Sequence, residues 1–501
     1  MRYYNAALYD KTDNLTKDNI ITVENGIITD IRRGILNDVT DEDINCGNLP
    51  TYPAFMDCCT TLPGRSCFRL YGLDISSMFS LGEYANALEN TDVSHGIRAY
   101  GFNTFVVSGE YGMLKKILDN RCPDRPGYIY ADDMTNVIVN NYILEDLKKY
   151  ISVDQNMYKT GLLDVNQIYR VRKHTDVLDF TENELYDSLL DFQKELLHNG
   201  IASIRAIDCF GGKNLIGALS RAIKDGTWKL VTVIAVPVYP FDTESEMYQR
   251  YMEYSRVTSD HVHALGISIT LDGSIDSGQA ALLTPYAVDS KWRGDITWNL
   301  DKLNDTVTKF ADMGVDINFN AYGDRAVSLA VTCGAAVSGK CDVTITHAYL
   351  AEDIDIKQAR DANITFCVEL NTVPYDGMFY EGDKAMLGER IYAEYPVGRI
   401  MYAGVNVISG NNAPMLHTLS PVTGVYRAAH RTSDDDATPS HLLRTYGRNA
   451  YKWFGLYDQM GSIEVGKQAN FVLLDKDIVN RREDLLCDCN IVRTVIRGEW
   501  S

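Results

Sequence analysis

Between about residue 200 and residue 410 the sequence alternates short apolar runs with amphipathic helical stretches, and few folds accept that alternation. Ala202–Ile207, Leu230–Val238, Gly266–Leu271, Asp316–Phe319, Val343–Thr346, Ile364–Val368 and Val405–Ile408 have strand length. Stretches with helical periodicity, such as Glu182–Leu197, Leu303–Met313 and Arg325–Val337, separate them. A parallel strand pair needs a crossover long enough to hold a helix, so the alternation implies a parallel sheet. With this many units the sheet is expected to close into a (β/α)8 TIM barrel. Residues from about 65 to 185 break the rhythm and read as an insertion after the first barrel strand.

Both ends of the chain speak a different grammar. Ile20–Val23, the Asn25-Gly26 turn and Ile27–Ile31 make a β-hairpin, and the last forty residues carry further strands at Asn470–Leu474 and Ile491–Ile496. Neither end has enough strands to be stable alone, so the two are expected to pair in one small β-sandwich. The expected division is residues 1–52 and 456–501 for the sandwich and 53–455 for the barrel.

Composition narrows the partners. The chain has 48 Lys+Arg against 68 Asp+Glu, a formal charge of -20, which repels nucleic acid and anionic lipid. No apolar run of transmembrane length occurs, and the start, Met1-Arg2-Tyr3-Tyr4, lacks the pattern of a signal peptide, so a cytoplasmic protein without membrane contact is expected. The 11 cysteines are odd in number and dispersed, as for buried thiols in a reducing compartment. Assembly as a homodimer is left open. Only 9 histidines are available to build any imidazole-rich metal centre.

A barrel of this kind places its chemistry after the C-terminal ends of its strands. The segments there are Asp57–Thr61, Ser268–Asp272, Asn320–Asp324, His347 and Gly410–Pro414. Read in order, they resemble the amidohydrolase superfamily, and specifically amidohydrolase family 3, which includes N-substituted formamide deformylases. Pro53-Ala54-Phe55-Met56-Asp57 resembles that family's Pro-Gly-Phe-Ile-Asp. Asn320-Ala321-Tyr322-Gly323-Asp324-Arg325-Ala326 is similar to its His-Ala-Ile-Gly-Asp-Arg-Ala, and Thr344-Ile345-Thr346-His347-Ala348-Tyr349-Leu350 to its Arg-Ile-Glu-His-Ala-Gln-Leu. Leu271-Asp272-Gly273-Ser274 and the Gly461–Asp475 stretch continue the likeness.

The resemblance implies hydrolysis of carbon–nitrogen bonds at one or two divalent metals, usually zinc. The family's ligands are a His-x-His after the first strand, a lysine, two later histidines and an aspartate. In this sequence those positions read Cys59 and Thr61, Ser268, Asn320, His347 and Asn412, so only His347 is retained. Amide and hydroxyl groups hold zinc-class ions poorly, and the expectation is therefore no binuclear centre and no metal cofactor.

Three readings of function follow. In the first, a metal-independent enzyme acts on a small molecule with His347 as acid–base group. Cys59 is a candidate nucleophile beside it, and Asp272 and Asp324 are further catalytic candidates by location. Thr61, Ser268, Asn320, Tyr322, Asn411 and Asn412 would contact substrate. In the second, the barrel binds a small molecule without turnover. In the third, Cys59 and His347 belong to a mononuclear metal site with an unrecognised ligand. Ordinary structural roles compete throughout: buried packing for Cys58 and Cys59, a helix N-cap for Asp324, turn chemistry for Asp272 and a core histidine for His347. His261-Val262-His263 is expected at the barrel face opposite the site. Cys487-Asp488-Cys489 reads as a structural thiol pair.

Overall fold

The computed structural model describes every residue except 10–12, 210–211, 373–377, 414–417, 431–436, 481–488 and 501. Pro414, Cys487 and Asp488, all singled out by the sequence, lie outside the described residues. Eight parallel strands form one sheet in sequential order: β1 (Phe55–Leu62), β2 (Ile201–Cys209), β3 (Val231–Val238), β4 (Val262–Thr270), β5 (Asp316–Ala321), β6 (Val343–His347), β7 (Thr365–Glu369) and β8 (Val407–Gly410). β8 returns to β1 through a Thr60–Ala413 bridge and the Thr61 N–H, which donates to Ala413 O at 2.8 Å. The sheet is thereby a nearly closed TIM barrel. Every residue of β3 is buried, as a parallel strand covered on both faces requires. The crossover helices are amphipathic. Glu182–His198 opens on a Thr181/Glu184 capping box and buries Leu185, Leu189, Phe192 and Leu196 along one stripe.

The region between β1 and β2 contains a sheet of its own, built from Leu73–Asp74, Ile97–Phe102, Gly127–Ala131, Asn136–Val139 and Leu162–Asp164. Strands from both chain ends join in a third sheet, where Phe471–Leu474 pairs antiparallel with Pro50–Pro53. Tyr3, Ile21, Val23, Phe471, Leu473 and Val495 share its apolar core, with the Tyr3 and Phe471 rings edge to face at 5.0 Å. No described helix is long and apolar enough to cross a membrane.

Two local readings change. β4 begins at Val262, four residues before the apolar run, so His263 lies within the strand and His261 abuts it, its Nε2 3.1 Å from Trp228 O. Both remain at the N-terminal end. Asp324 is not an N-cap: Gly323 occupies that position, and Asp324 stands in the first helical turn. Its Oδ1 accepts from the backbone N–H of Leu283 at 2.7 Å and of Arg325 at 2.9 Å. The loop after β4 is thereby tied to the helix after β5.

Asp272 makes a parallel tie one residue row away. Fully buried, it accepts the N–H groups of Tyr322 (2.9 Å), Gly323 (2.9 Å) and Ala281 (2.8 Å). Burial pushes its carboxyl up to about 7 against those three donors. Asp272→Asn turns an amide N–H₂ toward at least one of these fixed donors and is expected to cost ~1–3 kcal/mol of stability, read by denaturant unfolding. An unchanged unfolding midpoint contradicts the brace. Removing residues 1–49 strips Tyr3, Ile21 and Val23 from the shared core and is expected to make the chain aggregate on expression. A soluble monomer with an undiminished melting temperature contradicts the pairing of the two ends.

Candidate active site

The site starts from how β8 meets β1. A Cβ placed on Gly410 would fall 2.3 Å from Cys59 N and 2.4 Å from Cys59 Cβ, so only glycine lets the two strands approach here. Asp57 bridges the seam, its Oδ1 accepting from Cys59 N–H (3.0 Å) and Asn411 N–H (3.1 Å). Burial pushes the Asp57 carboxyl up to about 6, opposed by those two backbone donors. Cys59 is held with its thiol 3.8 Å from Asn412 Oδ1.

His347 ends β6 with a φ of 78°, and Ala348 (45°) and Asn412 (53°) share the left-handed region. For histidine and alanine that conformation is uncommon, and such strain collects at functional sites. It lays the imidazole under Tyr322, ring centroids 3.9 Å apart and planes 13° from parallel. Tyr349 stands perpendicular to both rings, and Tyr395 packs on Tyr349 at 4.4 Å. The Asn412 amide donates a long 3.5 Å contact to the Tyr349 hydroxyl.

Glu369, the last residue of β7, completes the centre. One ligand atom each from Cys59, His347 and Glu369 lies within 4.8 Å of the other two. All three side chains are buried, with exposures of 1%, 3% and 0%. Glu369 Oε2 approaches His347 Nδ1 to 3.3 Å without the alignment of a hydrogen bond. Among the described residues, neither Glu369 oxygen nor His347 Nδ1 has a well-aligned hydrogen-bond partner, although the Cys59 thiol lies beside them. Burial, and then the Glu369 charge, push the Cys59 thiol well above its ordinary range.

Ser268 and Asn320, which the resemblance sets against a lysine and a histidine, form a different layer, deeper in the barrel. Ser268 Oγ accepts from Asn318 Nδ2 (3.2 Å) and Asn320 Nδ2 (3.1 Å). Asn320 Nδ2 also donates to Thr270 Oγ1 (3.1 Å), and its Oδ1 accepts from Asn318 (2.8 Å). Asn318 Oδ1 in turn accepts from Thr346 Oγ1 (2.7 Å) and from the buried Arg205 guanidinium. Ser268 and Asn320 are thus occupied with their neighbours. Asn411 is similarly engaged: its Oδ1 accepts from Asn371 (2.6 Å) and Tyr446 (2.9 Å), and its Nδ2 donates to Leu419 O (2.8 Å). Thr61 is half-buried at the seam.

The structure therefore gathers Cys59, His347, Tyr322 and Asn412 at one point, while Asp272 and Asp324 tie loops around it. Glu369, Tyr349, Tyr395, Asn318 and Arg205 were not singled out by the sequence reading. Glu369 directly follows the apolar run ending at Val368, so the strand-end rule alone points to it. A cleft of about 540 Å³ bordered by Tyr169, Arg172, Tyr239 and Arg250 lies beyond the end of β3 and contains none of the cluster residues.

Comparison with known proteins now has a geometry to rest on. The sequence pattern of the amidohydrolase family matches residues 80–500. An N-substituted formamide deformylase of Arthrobacter pascens is 23% identical over 213 residues, 40% of this chain and 39% of that protein. Among solved structures, an uncharacterized metal-dependent hydrolase from Pyrococcus horikoshii OT3 superposes with a TM-score of 0.75 at 18% identity, covering 97% of this chain and 99% of that one. A metal-dependent hydrolase from Pyrococcus furiosus gives 0.73 at 17%, covering 96% and 99%. Atrazine chlorohydrolase TrzN from Arthrobacter aurescens TC1, complexed with zinc, gives 0.55 at 11%, covering 100% and 94%. With a barrel in the family's strand order and a family match over most of its length, this chain belongs to the amidohydrolase family.

Proposed function

We propose that the chain hydrolyses a carbon–nitrogen bond of a small molecule with one divalent ion of the zinc class, held by Cys59, His347 and Glu369. The observation that carries this reading is the set of polar atoms left without partners. A buried carboxylate with neither oxygen hydrogen-bonded, facing a buried imidazole nitrogen in the same state, costs several kcal/mol unless a cation joins them. Thiolate, imidazole and carboxylate form a donor set that suits zinc and leaves a coordination position open, as catalytic sites do. Cys59 and His347 alone supplied two donors; Glu369 is the third. When bound, such an ion supplies Lewis acidity.

The remaining work belongs to the protein's own groups. Tyr322 fixes the plane of the His347 ring, and the left-handed backbone at His347 aims its Nδ1 at Glu369. The Asp57 bridge holds Cys59 against the seam, and the Asn412 amide presents a donor and an acceptor beside the centre. The tyrosines limit access of water. In the competing metal-free reading, with Cys59 as nucleophile and His347 as base, Glu369 faces only the misaligned His347 ring at 3.3 Å and the Cys59 thiol. The partial likeness to a formamide deformylase makes N-formyl and N-acyl amines the first compounds to assay.

Protein purified without chelator is expected to contain about one equivalent of zinc or a similar ion per chain, by elemental analysis. Glu369→Gln, His347→Asn and Cys59→Ser should each weaken retention about tenfold or more while the far-ultraviolet dichroism stays unchanged. Amide turnover by metal-free protein, abolished by alkylating Cys59, contradicts the assignment.

A further inference from the structure

Among the described residues, the Tyr349 hydroxyl has no acceptor for its proton. Its oxygen accepts from Asn412 Nδ2 at 3.5 Å, and that is the bond it makes there. Other buried tyrosines of the barrel do donate: Tyr446 to Asn411 Oδ1 at 2.9 Å, Tyr286 to Ala280 O at 2.8 Å. A buried hydroxyl normally finds such a partner. Tyr349 and Asn412 are each only 6–8% or less exposed, at 6% and 6%, and both stand beside the Cys59–His347–Glu369 centre.

The other end of the Asn412 amide meets the sulfur. Its Oδ1 lies 3.8 Å from Cys59 Sγ. That arrangement suits a thiol, which has a proton to share with an oxygen. It does not suit a sulfur that holds an ion, because the proton is then gone and two electron-rich atoms face each other. Asn412 is not free to withdraw. Its neighbour Ala413 is bridged to Thr60 and accepts from Thr61 N–H at 2.8 Å, which pins the chain at the barrel seam. The φ of 53° at Asn412 is a left-handed conformation that asparagine accepts more readily than most residues. What remains is rotation of the planar amide about its own axis, which exchanges Oδ1 and Nδ2 with little change of shape.

We propose that the Asn412 amide turns end for end when the ion binds, so that Nδ2 donates to the Cys59 sulfur and Oδ1 accepts from the Tyr349 hydroxyl. Both contacts already exist, and only donor and acceptor are exchanged in each. The Tyr349 proton gains its acceptor and the sulfur gains a donor, with no covalent bond changed at either residue. Tyr349 and Asn412 are then positioning residues for the sulfur ligand: Tyr349 sets which end of the amide faces the sulfur, and the amide N–H orients the sulfur and draws charge from it. The rotation presupposes the proposed ion held by Cys59, His347 and Glu369.

Cobalt(II) loaded into the full chain reports on the sulfur directly. A thiolate ligand gives a sulfur-to-cobalt charge-transfer band, and a hydrogen bond accepted by the sulfur raises the energy of that band. The band is expected at lower energy in Tyr349→Phe and in Asn412→Leu, which keeps the shape of the side chain without its donor, and cobalt retention is expected to weaken about tenfold. Lost packing alone lowers the melting temperature and leaves the band in place. Asn412→Leu makes the test by itself should Tyr349→Phe fail to fold.

An unchanged band in the variants, with cobalt bound, overturns the proposal and leaves the ion standing. A shift in Asn412→Leu but not in a folded Tyr349→Phe overturns the part given to Tyr349. No cobalt uptake by the unaltered chain, or bound cobalt without a sulfur band, overturns the ion assignment, and the amide rotation falls with it.

Discussion

The contact between Gly410 and Cys59 is the point on which the site depends. A barrel of eight parallel strands has to close, and here the last strand meets the first where a side chain on residue 410 would collide with the Cys59 backbone. The Asp57 carboxylate fastens that seam through the Cys59 and Asn411 N–H groups, so the position of the thiol follows from barrel closure rather than from a flexible loop. His347 and Glu369 are the last residues of β6 and β7, and the register that sets Thr346 beside Cys367 carries Glu369 one residue beyond the level of His347. Three strand ends thus converge on one point, and groups fixed in this way pay little reorganisation when a ligand binds.

Two polar systems share the barrel interior with opposite hydrogen-bond balances. The Arg205–Asn318–Ser268–Asn320 layer joins amide, hydroxyl and guanidinium groups to one another, as buried polar groups must be joined. Directly above it, Glu369 and His347 Nδ1 lack well-aligned hydrogen-bond partners among the described residues. Ser268 and Asn320, which stand where the resemblance puts a lysine and a histidine ligand, belong to that hydrogen-bonded layer, and the proposed centre lies instead at the ends of β1, β6 and β7.

The barrel was legible in the sequence because its signals are local: strand-length apolar runs, helical periodicity between them and motif segments in a fixed order. Cys59, His347, Tyr322 and Asn412 could be named because each stands next to such a segment. Glu369 is not marked in this way, because the apolar run stops at Val368 and no motif accompanies the end of β7. The strain at His347 and Asn412 and the stacking of Tyr322 arise from contacts between residues far apart in the chain, which no single segment encodes. Asp324 carries two readings in the sequence, a catalytic group and a helix N-cap; the structure removes the second, because Gly323 holds the cap position and Asp324 accepts from Leu283, 41 positions away, as well as from Arg325.

The central claim is that one ion sits on a thiolate, an imidazole and a carboxylate. X-ray absorption at the edge of the bound metal tests this most directly. The account predicts one sulfur neighbour at about 2.3 Å with nitrogen and oxygen neighbours at about 2.0–2.2 Å. A first shell without sulfur, or a second metal at about 3.5–4 Å, contradicts it.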